Sequence, residues 1–148
     1  MAASAPQVDF YPLSATDRRS RLVAACRLAE KACELGLRIV VRTASPAETA
    51  EVDELLWTFD EGSFVPHGVW PTDPDVAALT PVLVGSAAAL PPSHRDVLIN
   101  LAPDAPAEFS AYARVCDVVG GDEDGKKAGR QRWRVYREAG CVPEAHPL

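Results

Sequence analysis

The chain has 148 residues, 47% of them hydrophobic, with a formal net charge of −6 and a pI near 5.0. A chain of that size and apolar content can bury a core without disulfide or metal staples, so a single domain over residues 1–148 is expected. Its acidic balance excludes broad attraction to phosphate backbones, and any anionic partner must meet a local patch of positive charge.

No stretch approaches the eighteen or more apolar residues of a membrane helix. The opening "MAASAPQVDF" also lacks the charged start and apolar run of a signal peptide, so a cytoplasmic protein without membrane contact is expected. Cys26, Cys33, Cys116 and Cys141 form no C-x-x-C pair and read as reduced, buried thiols.

In chain order, "VDFYPL" (8–13) predicts a short strand. "SRLVAACRLAEKACELG" then sets Leu22, Ala25, Cys26, Ala29, Ala32 and Cys33 on one stripe of 3.6-residue period, which predicts an amphipathic helix closed by Gly36. "LRIVVRT" (37–43) is rich in β-branched residues, as a strand buried on both faces should be. Ser45 can cap the next helix, with Pro46 at its first position and Glu48 reaching back to close a capping box. That helix, "PAETAEVDELLWTF", has Val52, Leu55, Leu56 and Phe59 on its apolar side. Residues 60–80, with three prolines and two glycines, read as loop. "PVLVG" (81–85) and "DVLINLA" (96–102) predict strands, "APAEFSAYA" a short helix, "VCDVV" (115–119) another strand, and "KKAGRQRWRVYREAG" a closing helix. Strands and helices in this alternation predict a three-layer α/β domain with a largely parallel sheet.

Such a fold raises the question of a nucleotide site, yet the loops after the early strands carry neither G-x-G-x-x-G nor G-x-x-x-x-G-K-[ST]. Gly120, Gly121, Gly125 and Gly129 read as a flexible turn before the last helix. His67, His94 and His146 include no pair at i, i+4, so neither a metal site nor a cofactor is expected. Ser93, His94 and Asp96 are chain neighbours in "SHRD" and cannot form the relayed bonds of a catalytic triad. Asp53, Glu54, Asp122, Glu123 and Asp124 read as solvated charge rather than as a catalytic pair, and no catalytic residue is expected.

Two stretches ask for more. Six basic side chains stand in the twelve positions from Lys126 to Arg137, with no acid among them. On a helix Lys126, Arg130, Trp133, Arg134 and Arg137 share one stripe, while Ala128, Val135, Tyr136 and Ala139 lie on the other side and can face the core. An exposed indole among cations can take an aromatic side chain and the carboxylates of an acidic peptide together. The plainer alternative is a solvated helix whose indole lies beneath arginine stems. The second stretch gathers Trp57, Phe59, Phe64 and Trp70 into "LLWTFDEGSFVPHGVW", where Phe64, Val65 and Pro66 fall in the predicted loop. It reads either as core packing or as a partner surface.

In order and spacing, "DFYPL", "VDELLWTF", "GSFVPHG", "RDVLINL", "RVCDVV" and "GRQRWRVYREAG" resemble the chi subunit family of bacterial DNA polymerase III over nearly the whole chain. The resemblance implies a non-catalytic accessory protein with a mononucleotide-binding-like α/β fold. Such a protein is attached to the clamp loader through a small subunit, psi, and holds the acidic C-terminal tail of single-stranded DNA-binding protein (SSB). That tail combines aspartates, a proline and a terminal phenylalanine.

Carried over by position, the implied tail-binding surface is Lys126, Arg130, Trp133 and Arg134, with Val119 on its apolar side. Arg130 and Arg134 would take carboxylates, Trp133 the phenylalanine ring and the proline, and Lys126 a longer-range attraction. Family members commonly carry Tyr in place of Trp133 and Lys in place of Arg134, exchanges that keep the type of contact. The implied psi-docking surface is Trp57, Phe64, Pro66 and His67, which could equally hold a divergent psi or a helicase of the XPD type. Gly129 stands where a better helix former is usual, and it leaves the start of the last helix uncertain. Two other readings use the same residues or the same fold: direct binding of single-stranded DNA by the basic helix, with Trp133 as a stacking platform, and a nucleotide-using enzyme.

Overall fold

The computed structural model describes residues 5–146. Its centre is a seven-stranded sheet in the order β3-β4-β2-β5-β6-β1-β7, with every pairing parallel. The strands are β1 (Gln7–Pro12), β2 (Ile39–Arg42), β3 (His67–Val69), β4 (Val82–Gly85), β5 (Val97–Asn100), β6 (Arg114–Val119) and β7 (Glu144–Ala145). The helices are α1 (Arg18–Glu34), α2 (Pro46–Thr58), α3 (Pro74–Leu79) and α4 (Glu123–Glu138).

Neighbouring residues of the central strands point to opposite faces and feed two separate cores. Ile39, Val41, Val97, Ile99 and Val118 pack under α1 and α2. Val40, Leu98 and Val115 pack on the other face with Phe10, Tyr112 and Tyr136, the last from α4. The β-branched runs of the sequence are therefore covered on both sides, as a parallel sheet requires.

The helix ends follow local chemistry. Leu37 N–H donates to Ala32 C=O at 3.2 Å and Gly36 N–H to Cys33 C=O at 2.9 Å, a Schellman closure that places Gly36 at φ +77°. In α2, Ser45 Oγ accepts from Glu48 N–H at 3.2 Å. Glu48 Oε1 accepts in return from Ala44 N–H at 3.1 Å, one residue before the expected partner.

Three departures from the sequence reading have physical causes. Residues 60–80 are not loop throughout: His67–Val69 adds the edge strand β3, and Asp73 with Pro74 starts α3. Three residues at a sheet edge are too short to show alternation, and their prolines flank the strand instead of interrupting it. Only Phe109–Ala111 of the expected helix "APAEFSAYA" is helical, as a single 3-10 turn. The two-residue β7 had no periodic signal at all.

The strongest departure lies in α4. Tyr136 is buried as expected, but Val135 and Ala139 are exposed, and Gly129 and Arg132 face the core in their place. Arg132 turns inward because Asp117, in the middle of apolar β6, is buried beneath it. Arg132 Nε donates to Asp117 Oδ1 at 2.8 Å and Oδ2 at 3.0 Å, while Arg132 Nη1 donates to Pro103 C=O at 3.0 Å. Tyr136 Oη donates to Asp117 Oδ2 at 3.1 Å, and Asn100 Nδ2 approaches the same oxygen at 3.4 Å. Burial, and then the adjacent Asp117 carboxylate, push the Tyr136 phenol far above its ordinary pKa.

The cysteines are free thiols, buried except for the half-buried Cys33. Burial raises Cys26 to about 12 and Cys116 to about 11, so both stay protonated at neutral pH.

Removing one member of the buried pair leaves a charge without a partner. Arg132→Ala should therefore cost roughly 3–5 kcal/mol in urea unfolding. Arg130→Ala, at an exposed position two residues away, should change stability by less than about 0.5 kcal/mol.

Candidate functional site

Asp122 caps α4 by accepting from Gly125 N–H at 3.2 Å, and Glu123 and Asp124 lie in the first turn, where the helix dipole favours acids. The helix is regular through Gly125 and Gly129, so its start is well defined. A Cβ on Gly129 would stand 2.8 Å from Val119 Cγ1, which identifies this glycine as the point where α4 lies directly on β6. The preceding glycines are closely packed rather than loose: a Cβ on Gly121 would meet the carbonyls of Leu13, Ser14 and Ala15, each at 2.7 Å.

With Gly129, Arg132 and Tyr136 turned inward, Lys126, Arg130, Arg134 and Arg137 point to solvent. Trp133 sits at the boundary and is half-buried, not the fully open indole that the sequence led us to expect. Its ring meets Phe10 of β1 edge-on, with centroids 4.8 Å apart and planes at 62°. Phe10 in turn meets Tyr136, and Tyr136 meets Phe109, so the indole is fixed at the end of an aromatic row.

Beside the indole is a recess of about 230 Å³ lined by Phe10, Pro12, Val119, Lys126, Arg130 and Trp133. That is below the roughly 300–1,000 Å³ of small-molecule sites and suits one side chain. A second hollow continues from Arg130 and Trp133 past Arg134 and Arg137 to Glu138, its one acid. Among the described residues no carboxylate pairs with Arg130, Arg134 or Arg137, and Lys126 lies 3.9 Å from Glu123. The arrangement can accept an apolar ring in the recess and carboxylates on its rim.

All five expected residues, Val119, Lys126, Arg130, Trp133 and Arg134, meet at this surface. Sequence reasoning missed Phe10 and Pro12, which belong to the far end of the chain. Their alternation within β1 marks them as one face, but nothing local says that β1 lies beside β6 under α4.

The second expected surface divides. Trp57 and Phe64 are 57% and 71% exposed, with ring centroids 6.1 Å apart, and Pro66 is half-buried. The side chain of His67 is sealed and cannot contact a partner directly. Its Nδ1 lies 2.7 Å from Val65 C=O and its Nε2 3.0 Å from Asp53 C=O, and its ring packs against Trp57 at 4.6 Å. His67 is a brace beneath the exposed aromatics. Phe59 is packed against the core, and Trp70 Nε1 donates to Ala89 C=O at 2.9 Å.

The geometry elsewhere bears on other chemistries. Ser93 Oγ does reach His94 Nδ1, at 2.8 Å, despite the expectation that these neighbours would diverge. No relay follows, because His94 Nε2 bonds Thr80 C=O and Asp96 accepts from Arg38 N–H. Asp9, Glu144 and His146 bring possible ligand atoms within 4.8 Å of one another, a grouping that spans the two ends of the chain and is invisible to spacing. Arg114 already neutralises buried Asp9, with Nε to Oδ2 at 2.6 Å.

Ligands of open α/β sheets sit beyond the C-terminal ends of the strands. Here Arg42 and Asn100 end β2 and β5, and Arg42 Nη1 donates to Asn100 Oδ1 at 3.0 Å and to Asp104 C=O at 2.9 Å. No helix among the described residues is long and apolar enough to cross a membrane.

Fold and surface together define an α/β domain whose last helix displays cations around a half-buried indole. Residues 5–144 match the family described as DNA polymerase III chi subunit, HolC. The chain is 37% identical over 142 residues to a Pseudomonas aeruginosa protein named DNA polymerase III subunit chi, covering 96% of both. It is 30% identical over 115 residues to the Escherichia coli protein of that name, covering 78% of this chain and 77% of that one. The chain belongs to the DNA polymerase III chi subunit family.

Solved structures show the fold alone. A Saccharomyces cerevisiae Dbp5 structure superposes with a TM-score of 0.63 at 11% identity, over 95% of this chain and 41% of that one. The separate C-terminal domain of the DEAD-box protein Dbp5 gives 0.54 at 10%, over 93% and 90%.

Gly129→Ala should test the contact beneath the recess. Helix propensity would favour alanine by up to about 1 kcal/mol, but overpacking against stiff Val119 costs about 1–3 kcal/mol, so a net loss of stability is expected in thermal unfolding. At the second surface His67→Ala should destabilise the fold, while Phe64→Ala should leave it within about 0.5 kcal/mol of wild type.

Proposed function

We propose that this chain is a non-catalytic accessory subunit of DNA polymerase III that links the clamp loader to the acidic C-terminal tail of SSB. The observation that carries the proposal is the recess between Val119, Phe10 and Trp133, rimmed by Lys126 and Arg130 and continued by Arg134. A terminal phenylalanine fits its apolar floor. The terminal carboxylate falls to the fork of Arg130, the proline to the outer edge of Trp133, and the aspartates to Arg134 and Lys126.

On the clamp-loader side, exposed Trp57 and Phe64, with Pro66 beside them and His67 bracing them from below, form a docking surface for psi, a divergent psi or a helicase of the XPD type. The two surfaces lie over opposite cores of the sheet, so one chain can hold both partners. A single peptide contact of this size is weak, and many SSB tails along one strand raise its effective concentration.

Isothermal titration with a synthetic SSB tail peptide tests the proposal. Trp133→Ala and Arg130→Ala should each weaken binding by more than about 1 kcal/mol, and a peptide without its terminal phenylalanine should not bind. Raising the salt should weaken the complex, because exposed charge pairs are screened over about 8 Å at physiological ionic strength. Unchanged affinity in both variants would sink the site. Binding of bare single-stranded oligonucleotide, lost in the same variants, would move the assignment to direct DNA contact. Phe64→Ala should release the clamp-loader-side partner in a pull-down and leave tail affinity intact.

A further inference from the structure

One hollow of the molecule belongs to neither surface described above. It is a groove of about 620 Å³ on the face that carries α1 and α2, between α1 and β1. Tyr11, Val97 and Cys116 form its floor, and Val23 and Leu28 form its wall. It follows α1 from Ser20 to Leu35, a span of roughly 22 Å at 1.5 Å per residue.

Charge selects the occupant. Arg19, Arg27, Lys31 and Arg114 line the groove and no aspartate or glutamate does, in a chain whose net charge is −6. Arg114 is held by Asp9, and the Arg27 guanidinium reaches toward the Phe59 ring at 5.8 Å. Arg19 and Lys31 are exposed and have no ion-pair partner among the described residues. They stand twelve residues apart on one helix, roughly 18 Å along its axis.

Topology selects its shape. β1 is paired with β6 along its whole length and with β7 at Asp9 and Phe10, so among the described residues its second edge is open only in short stretches, too short for an added strand as long as the groove. The faces of parallel sheets are covered by helices, and no helix of the described residues lies over β1 on this face. A four-turn helix laid beside α1 matches both the length and the apolar floor.

We infer that the groove between α1 and β1 docks an amphipathic helix of a partner protein, apolar toward Tyr11, Val23, Leu28 and Cys116 and acidic toward Arg19 and Lys31. This site is independent of the tail recess and of the Trp57 and Phe64 surface.

The test uses the full chain labelled with 15N and a synthetic 18-residue helix bearing leucines on one side and glutamates on the other. Saturable shift changes at the amides of Val23, Leu28 and Cys116 are expected, and they should persist in Trp133→Ala. The double variant Arg19→Glu with Lys31→Glu should weaken binding at least tenfold at an unchanged unfolding midpoint, since both residues are exposed. A helix with the same leucines and lysines for glutamates should not bind. The inference is overturned by an absence of shifts, by equal binding of the lysine peptide, or by equal affinity in the double variant. It is overturned too if the same amides respond instead to phosphatidylglycerol vesicles, or to protein concentration alone, which would assign the groove to a membrane or to a second copy.

Discussion

The contact on which the rest depends is the buried pair between Arg132 of α4 and Asp117 of β6. Two opposite charges removed from water cost several kcal/mol in desolvation and recover it only when their remaining hydrogen-bonding capacity is met. Here Tyr136, Asn100 and the Pro103 carbonyl meet it. A fully satisfied polar cluster tolerates little displacement, so it sets the rotation of α4 more sharply than apolar contacts alone would. Gly129 sets the depth by allowing the helix axis to settle against Val119. Rotation and depth together decide which side chains reach solvent. Had Val135 and Ala139 faced the core, the cationic stripe and the indole would have turned away from the recess they now share with Phe10.

Asn100, a member of this cluster, also ends β5 at the C-terminal edge of the sheet. In an open parallel sheet the crevice beyond the strand ends is the customary place for a nucleotide. At the ends of β2 and β5, Arg42 is hydrogen-bonded to Asn100 and Asp104, and Gly121 packs on the backbone of residues 13–15. At 10–11% identity the likeness to Dbp5 is one of architecture, and function must be argued from sites instead. Those sites lie on the outer surfaces. The α4 recess, the aromatic pair beyond α2 and the cation-lined groove along α1 occupy different parts of the two helical layers, so the three proposed sites are separate in space.

Elements built from long periodic segments were legible before any coordinates. The alanine-rich stripe of α1, the capping residues Ser45 and Pro46 and the β-branched strands each satisfy their requirements within a few neighbouring residues. The site was legible in kind, because a run of cations around a tryptophan needs only helical spacing to form a stripe. Less legible was its depth. Trp133 is half-buried because Phe10, more than a hundred residues earlier, lies against its edge, and His67 is sealed with its nitrogens at the Val65 and Asp53 carbonyls and its ring against Trp57.

The sequence alone determined the alternation of strands and helices, the acidic balance with its basic exception, and the identity of the residues on the cationic stripe. These follow from periods of two and 3.6 residues and from composition, which are local quantities. Tertiary structure decided strand order, the inward turn of Arg132, the floor beneath Trp133 and the groove beside α1. Each of these depends on a pairing between residues remote in the chain: Asp117 with Arg132, Phe10 with Trp133, β1 with β6. A charge in the middle of an apolar strand announces that it needs a partner, but only the packed fold says which of six nearby cations supplies it.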